Sequence, residues 1–451
     1  MTDSRARVVD AVSLNSASDE SLAGLKPATK SMVARREAVL GPAYRLHYEE
    51  PLHLTRASGT RLWDDEGTEY LDAYNNVASV GHNHPIVVDA VSKQLRVLNT
   101  NTRYLQEGLI TFAEDLLSTF DDRFQRLMVT CTGSEANDLA LRMARQVTGG
   151  TGVLVTEYAY HGATADVASC SPSSGTGVNI GQHVRLVPAP DPRRACTDDI
   201  GTWFLDGVAR QIADLQRHGV QLAAFVIDSL FSSDGIFPDP IGLLGPVVDI
   251  VHQAGGVVIA DEVQSGFGRT GTNMWGHQRA QFTPDIVTLG KPMGNGMPIA
   301  GVVANQAIID TFGSEVSYFN TFGGSTAMVA AAQAVLDIVK NEKLMANAHR
   351  QGEALCAGMR DSLKRHRQTA EVRGAGLYIG VEFLRSGSQY EPDSATSSFV
   401  VNEMRRNRVL ISMAGPFGNV LKIRPPLVFS DSDVAMFLSV FDGAIAKAAS
   451  L

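Results

Sequence analysis

A chain of the α/β class with a mostly parallel central sheet is predicted by three observations. Short apolar runs of strand length recur between segments with helical spacing. The runs are continuous rather than alternating, as expected of strands buried on both faces. Glycine-bearing turns follow several of them, the position at which open parallel sheets bind ligands. Composition agrees: of 451 residues, 44% are hydrophobic, 19% are charged and 42 are glycine. That apolar content excludes a disordered chain, and the glycines lack the period of collagen. A chain of this length can bury a full core without disulfides or structural metals.

Taken in order, residues 1–30 are polar and Ser-rich and read as a flexible arm. Residues 52–72 read as short strands, with Asp65-Glu66-Gly67 as a turn. From about residue 86 helix and strand alternate. Leu127–Val129, Val153–Val155, Ala223–Ile227, Val257–Ala260 and Ile286–Leu289 are the buried-strand candidates. Between the first two, Ala136, Leu139, Ala140, Met143 and Val147 share one face of a helix over Ser134–Val147. Beyond about residue 326 come two long helices, the strand-rich VRGAGLYIGVEF, another helix, VLKIRPPLVF and a last helix from Ser430. The expected layout is a large domain, 76–325, interrupting a small α+β domain built from 31–75 and 326–451.

The net charge is −9, from 39 basic and 48 acidic residues, and no basic stripe suggests a nucleic-acid partner. The four cysteines, Cys131, Cys170, Cys196 and Cys356, form no C-x-x-C pair, which fits a reducing, cytoplasmic setting and no structural zinc. No signal-like stretch opens the chain, and no apolar run approaches the roughly 18 residues of a membrane span.

Four stations follow predicted strands. Cys131-Thr132-Gly133-Ser134 opens a helix: Gly133 permits a tight turn, Ser134 is a natural N-cap, and free helix N–H groups form a phosphate cup. Tyr158-Ala159-Tyr160-His161-Gly162 places aromatics where one can lie against a planar ring. Asp261-Glu262-Val263-Gln264 puts a carboxylate on the crevice floor, where burial demands a cationic partner. Lys291 stands among Gly290, Gly294 and Gly296, a crowded site where an amine loses its proton readily. A capped helix, a surface tyrosine, an exposed acid and a solvated lysine are the ordinary readings of each alone. Together they supply what pyridoxal phosphate requires: a phosphate site, a stacking face, a partner for the protonated ring nitrogen and an amine for the aldehyde.

The segments GHNHP, CTGSEAND, AYHG, IADEVQSGFGRTG, PDIVTLGKPMGNGMPIAG and NTFGGS, in this order, resemble the class III pyridoxal-phosphate aminotransferases of fold type I. The resemblance runs from about Leu52 to the C-terminus. It implies Lys291 as the Schiff-base lysine, Asp261 as the partner of the ring nitrogen, Gly133 and Ser134 at the phosphate, and Tyr160, in the Tyr160-His161-Gly162 turn, on the ring. It further implies Val263 on the opposite face, Gln264 near the ring hydroxyl, and a homodimer in which Thr321 reaches the neighbouring subunit's cofactor; dimer versus tetramer stays open. NNVASVGH, VLNTNTRYL and AGPFGNVLKIRPPLVFS look like the ethanolamine-phosphate phospho-lyase branch. Asp228 departs from the glutamate many members carry there, and Met413-Ala414 is unusually apolar.

Two reactions share the early chemistry, in which the freed Lys291 amine removes a proton from the carbon bearing nitrogen. With phosphate on the next carbon, as in O-phosphoethanolamine, elimination gives an aldehyde, ammonia and phosphate; otherwise an ω-amine passes its amino group to a keto acid. A phospho-lyase needs a second anion site, for which Arg424, Lys422 and Arg103 are candidates, with Asp228 beside the substrate. Arg424 could equally clamp a carboxylate. His82 and His84 lack a third ligand and read as a wall of the site, so no metal is expected.

Overall fold

The computed structural model describes residue 16, residues 19–195 and residues 197–450. Residues 1–15, 17 and 18 of the expected arm lie outside those described; among the rest, Asp19–Ala23 is a short helix, and Pro27–Leu40 a longer one with no buried residue. Strands β1 (Leu54–Ser58), β2 (Arg61–Asp64) and β3 (Glu69–Asp72) form an antiparallel meander around the expected turn.

The large sheet comprises β4 (Arg126–Thr130), β5 (Gly152–Thr156), β6 (Val184–Val187), β7 (Leu222–Ile227), β8 (Val257–Asp261), β9 (Ile286–Leu289) and β10 (Ala300–Ala304). Across it the order is β4, β10, β9, β8, β7, β5, β6. From β9 to β6 all neighbours are parallel, and β10 is antiparallel to both β9 and β4, so one strand of the sheet is reversed. The mostly parallel sheet is therefore present. β6 was not expected: its four residues include Arg185, whose Nε donates to Asp214, so the run is too short and too polar to stand out.

Strands β5 and β7 are buried along their whole length, as continuous apolar runs require. The helix Gly133–Thr148 lays Ala136, Leu139, Ala140 and Met143 into the core, with Val147 packed at its margin. Each such large aliphatic, fully buried, contributes roughly 1.5–3 kcal/mol.

The C-terminal part contains β11 (Ala370–Ala375), β12 (Tyr378–Phe383), β13 (Val409–Leu410), β14 (Ser412–Ala414) and β15 (Val420–Ile423). The long helices Thr326–Asn341 and Leu344–Arg365 precede them, Ser394–Arg406 intervenes, and Asp431–Ala448 closes the chain behind a Ser430 cap. β13 pairs parallel with β3, Val409 opposite Leu71, so segments from both sides of the large sheet share one small sheet.

Candidate active site

Chemistry gathers where the parallel strands end. After β4 the chain turns through Cys131 and Thr132 into the helix Gly133–Thr148. Thr132, not Ser134, is the N-cap, correcting the expectation from sequence: Thr132 is extended (φ −137°, ψ 155°) and its Oγ1 accepts from Glu135 N at 3.2 Å. Ser134 is already helical, two positions too late to cap. Its hydroxyl instead accepts from Ala163 N at 3.1 Å, which leaves its proton to donate to a ligand. Gly162 has φ +147°, and a Cβ there would stand 2.5 Å from Ser134 Oγ, so the turn after β5 presses on the cup only because it is glycine.

One cavity of about 110 Å³ joins Gly133, Ser134 and Gly162 to Tyr160, His161, Asp228, Asp261, Val263, Gln264 and Lys291. The four stations therefore converge. Asp261, 6% exposed at the end of β8, is held by three donors. Asn137 Nδ2 (3.0 Å) and the His161 ring nitrogen Nδ1 (2.8 Å) lie on Oδ2, and Val263 N donates to Oδ1 at 3.0 Å. Asn137 is fixed in turn by donating to His161 O (2.7 Å) and accepting from Thr288 Oγ1 (2.6 Å).

Lys291 begins a short helical turn two residues after β9. That turn is buttressed by residues 79–81, which lead into GHNHP: Ser79 Oγ donates to Pro292 O at 3.1 Å, and Asn295 bonds both Val80 N and Gly81 O. His82 and His84 face different carboxylates, Asp72 at 2.6 Å and Glu342 at 3.7 Å, and neither lines the cavity. Burial, and after it the Arg424 guanidinium, push the Lys291 amine down to about 8.

The donor set fits pyridoxal phosphate. An ionised carboxylate offers about four acceptor sites, and three on Asp261 are taken, so one remains for a protonated ring nitrogen. The first-turn amides and the Ser134 hydroxyl suit a phosphate. Val263 presses close enough on Gly133 that a Cβ there would meet its Cγ2 at 2.9 Å.

On the small-sheet side, Arg424 is buried, lies 4.6 Å above the Tyr74 ring centroid and donates to Gln264 Oε1, which also accepts from Tyr378 Oη at 3.0 Å. Its Nε has no hydrogen-bond partner. Lys422 is buried too and donates to Ser232 O at 3.4 Å; burial, then Arg424 and Lys291, hold its amine far below the usual lysine range. Asp228 accepts from Leu230 N and Ser232 N, and burial raises its carboxyl. Of the expected substrate-side residues only Asp228 lines the cavity; Arg424 and Lys422, though buried, do not, nor do Arg103 and Thr321. Arg103 is exposed and stacks 3.9 Å from the Phe319 ring centroid, and Thr321 is exposed beside it in sequence.

Asn137, Tyr74 and Tyr378 were not anticipated. Asn137 carried a usable signal, an asparagine buried within a helix otherwise patterned by Ala, Leu and Met, where its residue type is disfavoured. Among the described residues no group of three or more His, Cys, Asp or Glu is placed to hold a metal ion, and no helix is long and apolar enough to cross a membrane.

Residues 44–445 match the family described as aminotransferase class-III. A Caenorhabditis elegans protein, ethanolamine-phosphate phospho-lyase homolog 1, is 35% identical over 433 residues, 92% of each chain. A Drosophila melanogaster alanine–glyoxylate aminotransferase 2-like protein is 37% identical over 419 residues, 90% of this chain and 85% of its own. Among solved structures, an Arthrobacter phospholyase in complex with phosphoethanolamine superposes with a TM-score of 0.89 at 42% identity, covering 92% of this chain and 99% of that one.

Proposed function

The chain belongs to the class III aminotransferase family, and within it we propose a phospho-lyase that eliminates phosphate from O-phosphoethanolamine or a similar phospho-amine. Its cofactor is pyridoxal 5′-phosphate. When bound, the cofactor supplies an electron sink for the pair left by a broken C–H bond next to nitrogen.

The chain's own residues do the rest. Gly133, Ser134 and the amides around them hold the cofactor phosphate, while Val263 and Tyr160 enclose the ring from opposite sides. Asp261, oriented by Asn137 and His161, keeps the proton on the ring nitrogen, and Gln264 stands near the ring hydroxyl. Lys291, with an amine lowered to about 8, removes the proton from the amine-bearing carbon near neutral pH. Water added to the eliminated product gives acetaldehyde, ammonia and phosphate from phosphoethanolamine. We treat 76–325 as the cofactor domain and 31–75 with 326–451 as the smaller domain that covers it.

One observation carries the lyase assignment. Lys422 and Arg424 are buried beside Lys291, and neither forms an ion pair with an acidic side chain among the described residues. Arg424, a buried guanidinium whose Nε has no partner, and beside it the Lys422 amine, which an arriving anion would help to charge, suit a doubly charged substrate phosphate and its departure. Asp228 is the acidic group on that side and faces the substrate amine. Arg103, on the outer surface, would serve the partner subunit's site.

A homodimer is supported by the exposed apolar residues around Thr321: Val97, Leu105 and Phe322 are 82%, 98% and 71% exposed. Thr321 is proposed to reach the partner's cofactor phosphate. Free Cys131, Cys170 and Cys356 suit a reducing compartment such as the cytoplasm.

The second reading, an ω-aminotransferase, is favoured by the Drosophila relative and by Arg424, which suits a keto-acid carboxylate as well as a phosphate. Incubation of the purified protein with phosphoethanolamine and no keto acid separates them. Catalytic phosphate release is expected, and is lost in Lys291→Ala. Amine transfer that needs a keto acid, without phosphate release, would establish the second reading instead.

A further inference from the structure

Glu135 lies in the first turn of the cup helix, but its side chain does not stop at the cap. One oxygen, Oε2, accepts from Cys131 N at 2.8 Å and from Asn320 Nδ2 at 2.9 Å. Asn320 then collects the next loop: its Oδ1 accepts from Phe322 N at 3.2 Å and Gly323 N at 2.9 Å. The Cys131 thiol completes the knot at 3.6 Å from the same oxygen; burial, then the neighbouring Glu135 charge, push it up to about 11, so it stays a neutral donor.

The loop has no slack on its other side. A Cβ on Gly323 would stand 2.8 Å from Val129 O, and one on Gly324, at φ +74°, would stand 2.7 Å from Val129 Cγ2. The end of β4, the rim of the cup and the loop around Thr321 are thus one clamped unit, with Thr321 pointing its residue position outward from it. The two sequence segments are 185 residues apart, so the clamp is purely tertiary.

We infer that Glu135 and Asn320 are positioning residues that act in trans: by fixing the Thr321 loop to the rim of one chain's cup, they set how tightly the partner's site holds its cofactor. This rests on the homodimer proposed above. Each cup then reports its own integrity to the other site through two hydrogen bonds to one carboxylate oxygen.

Hybrid dimers of full-length chains, made with two affinity tags, test it. One chain carries Lys291→Ala, so cofactor is retained firmly only on Lys291 of the other chain. Retention through dialysis is read from cofactor absorbance, and each hybrid is first shown to sediment as a dimer. With Asn320→Ala placed in the Lys291→Ala chain, cofactor loss should quicken about 10-fold, the scale of a modest inter-site coupling. With Asn320→Ala in the competent chain, loss should stay near that of the reference hybrid. Glu135→Gln, whose amide oxygen can accept both bonds, should restore most of what Glu135→Ala loses when each is placed in the Lys291→Ala chain. Equal effects in the two placements, no effect in either, or no rescue by glutamine would overturn the inference. Thr321→Ala in the same hybrids separates the two claims. If it acts in trans while Asn320→Ala does not, only the clamp fails; if the protein sediments as a monomer, or Thr321→Ala acts in its own chain, the homodimer reading fails.

Discussion

Gly133→Ala and Gly443→Ala are the same substitution in two helices, and they are expected to have opposite signs. Gly443 is exposed within Asp431–Ala448, and nothing lies within 4 Å of where its Cβ would be. Replacing a helical glycine there removes a conformational cost of about 0.5–1 kcal/mol, so thermal stability should rise. Gly133 gains the same helical benefit, but its new methyl would meet Val263 at 2.9 Å and 3.1 Å from Cγ2 and Cγ1. Contacts that short force the valine to move, at an overpacking cost of about 1–3 kcal/mol that exceeds the helical gain. Because Val263 lines the cavity, its displacement narrows the space for a ring. We expect Gly133→Ala to weaken cofactor binding by about 1–2 kcal/mol, roughly 5- to 30-fold in the dissociation constant. Fluorescence titration of cofactor-free protein measures it. Val263→Ala, which removes both offending methyls, should recover most of the loss in the double variant. Binding by Gly133→Ala equal to that of Gly443→Ala, or a double variant no better than the single, would refute the steric reasoning.

Three further outcomes follow from the same geometry. Because the Lys291 amine is lowered from 10.5 to about 8, the folded chain sheds that proton earlier than the unfolded one; the rate of cofactor capture by apo-protein should climb with pH and level off above about 8, and a rate still rising steeply at pH 10 would contradict this. Asn137→Ala strips a donor from Asp261 and leaves the Thr288 hydroxyl without its acceptor, which should destabilise apo-protein by about 1–3 kcal/mol in chemical unfolding, whereas an unchanged midpoint would remove Asn137 from the scheme. Burial raises the Asp234 carboxyl to about 7, above its unfolded value, so the folded chain loses stability as pH rises from about 4 through 7; Asp234→Asn should lack that decline, and parallel stability profiles for the two proteins would show the group does not titrate there.

The residues most legible in the sequence were those standing directly behind apolar runs. Lys291 and Asp261 could be singled out because a strand's end fixes where the next side chain must be, whatever the rest of the fold does. The supporting shell was harder. Asn137 meets Asp261 across 124 residues of chain, and Tyr378 meets Gln264 across 114, so no local pattern announces either bond. The N-cap was misplaced by two residues because Thr132 and Ser134 are both good capping types, and only the extended backbone at Thr132 decides between them. Arg103 reads in sequence like an ordinary site residue, but the fold sets it on the outer surface, as it does Thr321, which the resemblance had assigned to a neighbouring subunit's cofactor. Strand direction was equally hidden, since the apolar run at Ile299–Ala304 looks the same whichever way it points.

That reversed strand has a mechanical consequence for the lysine. Parallel neighbours need a crossover of a dozen or more residues, usually a helix, and such connectors drift and lengthen readily. Because β10 runs back beside β9, Gly301 opposite Leu289, the chain that carries Lys291 leaves one strand and returns on its immediate neighbour. The amine is therefore mounted on a bracket bolted at both ends to the sheet rather than on the tip of a connector. An inserted residue in that bracket would shift the amine relative to Asp261 on the adjoining strand, so this short segment should be the least tolerant of length change anywhere around the cavity.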